Sequence, residues 1–193
     1  AQFVYIGAQT GIWSFTMRLA LTMFPHYTDR DASDFMLWSY AVFFVGRFLG
    51  SYLLSRFRET RVLTVYMGLA VVVLIGTIAL HSVAAVWMAV IVSLFLGPGW
   101  PTIYSRTLET VGDRRYTETA GAVIVMSIVG GAVLPALQGA LSDAMGMQFS
   151  FILPAIELCI VAVYFVSEMR YDRLTPKQMK ELSTTEGAES AQA

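Results

Sequence analysis

Long apolar runs separated by short polar breaks dominate this chain, and apolar and polar positions do not alternate regularly. Six runs reach the roughly 20 helical residues that a bilayer core of about 30 Å requires: about 2–24, 35–55, 62–81, 85–105, 119–141 and 149–168. The breaks between them read PHYTDRDASD, RFRETR, HSV, RTLETVGDRRYTE and SDAMGMQ. Membrane strands are excluded, because the runs are too long and lack a two-residue period. The pattern predicts an all-α membrane protein: a six-helix transmembrane domain over 1–168, then a polar, largely disordered tail over 169–193.

Lysine and arginine then orient the spans, since basic residues concentrate on the cytoplasmic side. The second break holds Arg56, Arg58 and Arg61, the fourth Arg106, Arg114 and Arg115, and the tail Arg170, Arg173, Lys177 and Lys180. On the opposite side only Arg30 is basic, amid Asp29, Asp31 and Asp34. Both chain ends are thus expected in the cytoplasm. Spans two and five also resemble each other. One ends in GRFLGSYLLSR and the other in GGAVLPALQGALSD, on opposite sides of the membrane, as an inverted three-plus-three repeat requires.

Composition agrees with this picture. The chain is 56% hydrophobic and 14% charged, whereas a soluble domain carries about a quarter charged residues. A formal net charge of −1 leaves no basic footprint for nucleic acid. The single cysteine, Cys159, forbids an internal disulfide and reads as a small packing residue in an apolar run. AQFVYIGAQTG at the start has no initiator Met, basic region or cleavage site and enters an apolar run at once. A fragment of a longer chain is expected. There is no HExxH, GxSxG or P-loop, and two histidines with one cysteine supply little for metal or nucleophilic chemistry. An enzyme is not expected, and no cofactor is called for.

Polar residues inside spans must face other helices or a cavity. Tyr5, Gln9, Trp13 and Thr16 share one face of span one, and aromatic rings beside an amide suit a sugar. The bland alternative is that Gln9 bonds a neighbouring helix. Span four reads SLFLGPGWPTIYS, where Pro98 and Pro101 should kink or break the helix and Ser93, Gly97, Trp100 and Tyr104 share a face. Span five carries Ser127, Gly131, Leu134 and Gln138 on one stripe, with Pro135 as a second hinge. Glu157 is the only carboxylate deep within a span, so it is a candidate proton carrier or a carboxyl tied to a neighbour. Arg18, near a span end, is expected to snorkel outward, and His26 and His81 lie at span ends.

Arg47 lies nine residues before Arg56, about 13 Å at 1.5 Å per residue, inside span two. Gly46 and Gly50 beside it allow a neighbouring helix to approach closely. An intramembrane arginine, a glycine pair and the basic turn SRFRETR together resemble the second-to-third-helix signature of the major facilitator superfamily. YIGAQTGIWSFTMRLA, FFVGRFLGSYLLSRF, WPTIYS and IVGGAVLPALQGALSDAMG look like the fucose:proton symporter group of that family, over nearly all of 2–168.

The resemblance implies helices seven to twelve of a twelve-helix transporter that binds sugar between two halves and rocks to alternate access. Its partners are then a hexose or 6-deoxyhexose, protons, membrane lipid and an N-terminal six-helix half. It implies that helices seven, eight, ten and eleven face the cavity, which fits the stripes on spans one, four and five. Sugar contacts are expected from Gln9, Trp13, Trp100, Tyr104 and Gln138, and a cytoplasmic gate at Arg47 and Arg56. Coupling carboxylates in the group lie mainly in the other half, so Glu157 departs from the pattern. The stretch GRFLGSYLLSRF also lacks the acidic residue of the family's fullest loop motif. An antiporter or exporter of another small solute and a non-transporting six-helix interaction protein are the rival expectations.

Overall fold

The computed structural model describes residues 1–111 and 114–170. The tail basic residues Arg173, Lys177 and Lys180 lie outside this range. All the regular structure is helical: α1 Gln2–Met23, α2 Asp29–Arg56, α3 Glu59–Ala79, α4 Val83–Leu96, α5 Gly99–Val111, α6 Arg114–Met126, α7 Gly130–Met145 and α8 at 152–170. Tight 3-10 turns, Ser127–Val129 and Phe149–Phe151, join α6 to α7 and open α8. Among the described residues, five segments are long and apolar enough to cross a membrane: Asp29–Arg56, Glu59–Ala79, Val83–Glu109, Tyr116–Met145 and Phe149–Arg170. The first helix has the length, 22 residues, but Gln2, Gln9, Arg18 and several hydroxyl residues make it less apolar than those five.

Helices extend further into the polar breaks than the apolar runs alone predict. The first break is helical from Asp29, because Thr28 closes a capping box. Its hydroxyl accepts the Asp31 N–H at 3.4 Å while the Asp31 carboxylate accepts the Thr28 N–H at 2.9 Å. The fourth break is helical up to Val111 and again from Arg114. Gly146, with φ +96, ends α7 in a conformation side chains resist. Just beyond it, the Gln148 amide donates to the Thr77 carbonyl at 2.7 Å and to the Leu80 carbonyl, satisfying orphan acceptors at the end of α3.

The core sits around α1, which packs against α7 on one side and against α2 and α4 on the other, with α3 laid on α4. Tyr5, Ile12 and Leu19 of α1 meet Leu63 and Leu74 of α3 and Leu96 of α4 in one buried cluster, to which α8 adds Leu158, Val161 and Phe165. Outward, Leu37, Phe48, Val72, Val123 and Val163 are all exposed. So large an apolar surface is sustained by lipid and not by water. Cys159 belongs to this outer face: it is exposed, not packed as its apolar run suggested. Arg18 is exposed too, its guanidinium 5.3 Å from the Phe15 ring centre.

Candidate functional site

The break in the fourth span organises the candidate site. Pro98 has no N–H for the Leu94 carbonyl, and Pro101 has none for that of Gly97, so α4 stops at Leu96 and α5 begins at Gly99. Other groups close on the freed backbone. The fully buried Tyr5 hydroxyl donates to the Leu96 carbonyl. The Pro98 carbonyl accepts from the Thr102 hydroxyl at 2.8 Å and its N–H at 3.3 Å.

Glycines let α2 come against this break. A β-carbon on Gly46 would overlap the Leu94 carbonyl, and one on Gly50 would stand 2.8 Å from the Pro98 ring. A β-carbon on Gly97 would in turn reach the Arg47 backbone at 2.5 Å. The glycine pair therefore holds the backbone of Arg47 against the break. The Arg47 side chain is exposed and makes no ion pair among the described residues.

Three of the candidate sugar contacts lie around the same break. Trp13 of α1 is half-buried, donates its indole N–H to the Ser93 hydroxyl at 3.2 Å, and sets its ring edge-on to Tyr40 and Phe43 of α2 at 4.9 and 5.1 Å. Trp100 and Tyr104, one turn apart on α5, stack with ring centres 5.3 Å apart and planes within 7°. A β-carbon on Gly121 of α6 would lie 3.1 Å from the Tyr104 hydroxyl. Gln9 is nearly buried on the Tyr5–Trp13 face and makes no side-chain hydrogen bond among the described residues.

Gln138 lies on another face of α1. Leu134 fills the notch at Gly7, and the Gln138 Oε1 stands where a β-carbon of Gly11 would be. Gln138 is 1% exposed, and its buried Nε2 finds no partner among the described residues. Gly130 and Gly131 meet the Phe3 carbonyl, Ile6 and Thr10, so the glycine stripe of α7 is the seam with α1. Pro135 sits inside a continuous α7, and the only change of winding nearby is the Ser127–Val129 turn upstream.

The remaining candidates stand apart. Glu157, 4% exposed on α8, has a buried Oε1 without a hydrogen-bond partner among the described residues. Arg56 is exposed at the end of α2, 5.9 Å from the Tyr52 ring centre. Among the described residues no three His, Cys, Asp or Glu side chains are grouped to hold a metal ion. Around the break stand aromatic faces and hydroxyls, with the Gln9 amide on the adjoining face of α1.

Sequence reasoning did not find the Tyr5 latch or the ion pair from Arg106 on α5 to Glu168 on α8, 2.9 Å long. Their partners are 91 and 62 residues away, and helical spacing says nothing at that range. Tyr5 showed only as a member of a polar stripe.

The family model of the Major Facilitator Superfamily matches residues 3–191. The chain is 33% identical over 177 residues to the L-fucose-proton symporter of Escherichia coli (strain K12), covering 91% of this chain and 39% of that protein. It is 31% identical over 163 residues to the glucose/galactose transporter of Brucella abortus biovar 1 (strain 9-941), covering 84% and 39%. Among solved structures it resembles the crystal structure of a Major Facilitator Superfamily transporter, FucP, in the outward conformation. The TM-score is 0.81 at 30% identity, over 85% of this chain and 39% of that one. The chain thus spans about two fifths of the length of these relatives.

Proposed function

The chain belongs to the Major Facilitator Superfamily, and on that premise we propose that it is the C-terminal half of a proton-coupled sugar transporter in a bacterial inner membrane. In this reading all six helical rods cross the membrane as an inverted three-plus-three repeat. Both ends face the cytoplasm, and a second six-helix half supplies the other wall of the cavity. The substrate is a hexose or 6-deoxyhexose, carried by alternating access. Likeness to a fucose and a glucose/galactose transporter supports the substrate class.

The observation that carries the reading is the broken helix at Gly97–Pro98, with Trp13, Trp100 and Tyr104 set around it and Gln9 nearby. An interrupted helix inside a membrane is stable only against protein or water. Aromatic faces beside an amide suit a ring whose C–H side is apolar and whose rim is hydroxyl. Gln138 joins the site if rocking of α7 against α1 uncovers it. Pro98, Pro101 and Pro135 are the points where the rods would flex, and Arg47 with Arg56 serves the cytoplasmic gate. Proton coupling falls first to the other half, with Glu157 as the candidate on this one.

The test is uptake by the complete carrier in proteoliposomes under an inward proton gradient, with L-fucose, D-glucose, D-galactose and amphiphilic cations offered separately. Sugar accumulation is expected, and Gln9→Ala should weaken sugar binding about tenfold at unchanged membrane level. Expulsion of the cations alone would instead make the protein an exporter or antiporter of another solute. No flux of any solute would leave a six-helix interaction protein.

A further inference from the structure

Away from the broken helix, at the end of the bundle carrying the α1–α2 loop, a cleft of about 450 Å³ opens between that loop, α2 and α4. Clefts of this size commonly take small molecules. His26 and Tyr27 come from the loop, Asp31, Asp34 and Trp38 from α2, and Trp87 from α4, with Phe35 below them. We propose that this cleft is a second, weaker sugar subsite at the outer mouth, with Trp38 as its platform and Asp34 as its hydroxyl acceptor. The inference rests on the sugar reading above and on the orientation that places this end outside.

The lining groups divide into those already engaged and those left free. Tyr27 stacks on Phe24 at 4.5 Å, Phe35 stacks on Phe24 at 6.2 Å, and Trp87 stands edge-on to Phe35 at 5.4 Å. These rings form a braced floor. The Asp31 carboxylate is held by the Thr28 N–H and hydroxyl at 2.9 and 2.8 Å. By contrast, Asp34 and His26 have no hydrogen bond or ion pair among the described residues, and Trp38 has no ring partner there. Asp34 and Trp38 are one turn apart on α2, so they project from the same face. The helix thus presents a carboxylate and an indole side by side.

The lining selects a ligand class. Among the described residues the lining has two carboxylates and no lysine or arginine, which rejects an anion. A wholly apolar ligand would strip water from Asp34 without repaying it. A neutral ring rimmed with hydroxyls satisfies Asp34 and Trp38: its O–H groups donate to the carboxylate, and its C–H face lies on the indole. Held there, sugar would await the opening of the central cavity.

Equilibrium binding on the complete carrier in detergent tests this, with radiolabelled L-fucose and D-galactose carried into the millimolar range. Two sugars per carrier are expected. Asp34→Asn or Trp38→Ala should weaken only the second by about tenfold or more, whereas Gln9→Ala should weaken only the first. Both cleft side chains are exposed, and Asp31 is avoided because it caps α2. A single sugar per carrier, unchanged by either cleft variant, overturns the subsite and leaves the central reading standing. A carrier that binds no sugar overturns both. Displacement of the weaker sugar by micromolar tetramethylammonium would make the cleft an aromatic cage for cations and also overturn the proposal.

Discussion

Tyr5 is fully buried, and its hydroxyl donates to the Leu96 carbonyl at the end of α4. Tyr5→Phe keeps the ring packed and removes only this bond. A buried acceptor left without its donor costs about 1–3 kcal/mol. The purified chain should therefore lose several degrees of thermal midpoint in detergent without losing expression, and an unchanged midpoint would show the hydroxyl to be idle. Gln138 poses the opposite case, because its Nε2 is buried and already unpartnered among the described residues. Gln138→Leu should leave the midpoint equal or higher, while sugar affinity of the complete carrier falls if the amide serves substrate. Loss of stability with unchanged affinity would make Gln138 a packing residue. The two substitutions separate a polar group that holds the fold from one that the fold tolerates.

At the scale of elements, the crossing of α2 over the α4–α5 break depends on the absence of side chains. A β-carbon on Gly46 would collide with the Leu94 carbonyl, which is backbone and cannot turn aside. Gly68 on α3 has nothing within 4 Å of such an atom. Gly46→Ala should therefore cost more than about 2 kcal/mol, as overpacking does. Gly68→Ala should be neutral or stabilising by up to about 1 kcal/mol, because alanine is the better helix former. Parallel melting of the two variants reads the difference, and equal midpoints would mean that α2 can slide away from the break. The Pro98 break is thus braced by Tyr5, Gly46 and Gly50, so any flexing there has to move α1 and α2 with it.

For the whole molecule, the exposed apolar belt and the exposed Arg47 point to different surroundings. The belt suits lipid. Arg47 is a charge within a membrane-length helix, without an ion pair among the described residues, and such a charge calls for a protein or water partner. Under the half-transporter reading that partner belongs to the other half or to the water-filled gap between halves. Arg47→Leu in the complete carrier should then slow turnover about tenfold while sugar affinity changes less than twofold. Uptake at the normal rate would reduce Arg47 to a surface residue. A lone half has one wall of a cavity, and the central site is expected to need both.

How much of this was legible depended on range. Helical periods and the membrane length are local properties, so the apolar runs, the glycine pair at Gly46 and Gly50 and the interruption at Pro98 could be read along the chain. So could the family, whose signature lies in contiguous stretches such as FFVGRFLGSYLLSRF. Helix ends were legible less well, because capping by Thr28 carries α2 out through polar residues that hydropathy counts as loop. The exposure of Cys159 depended on which side of α8 meets the core. Partners across the bundle were not legible at all: Tyr5 with Leu96, Gln138 with Gly11, Gln148 with the end of α3, and Trp87 of α4 in one cleft with Asp34 and Trp38 of α2. Sequence by itself determined which segments are helices and which residues share a helical face, since 3.6 residues per turn settles both. Only the tertiary structure decided which faces meet, because close packing of one helix on another is set by the shapes of both.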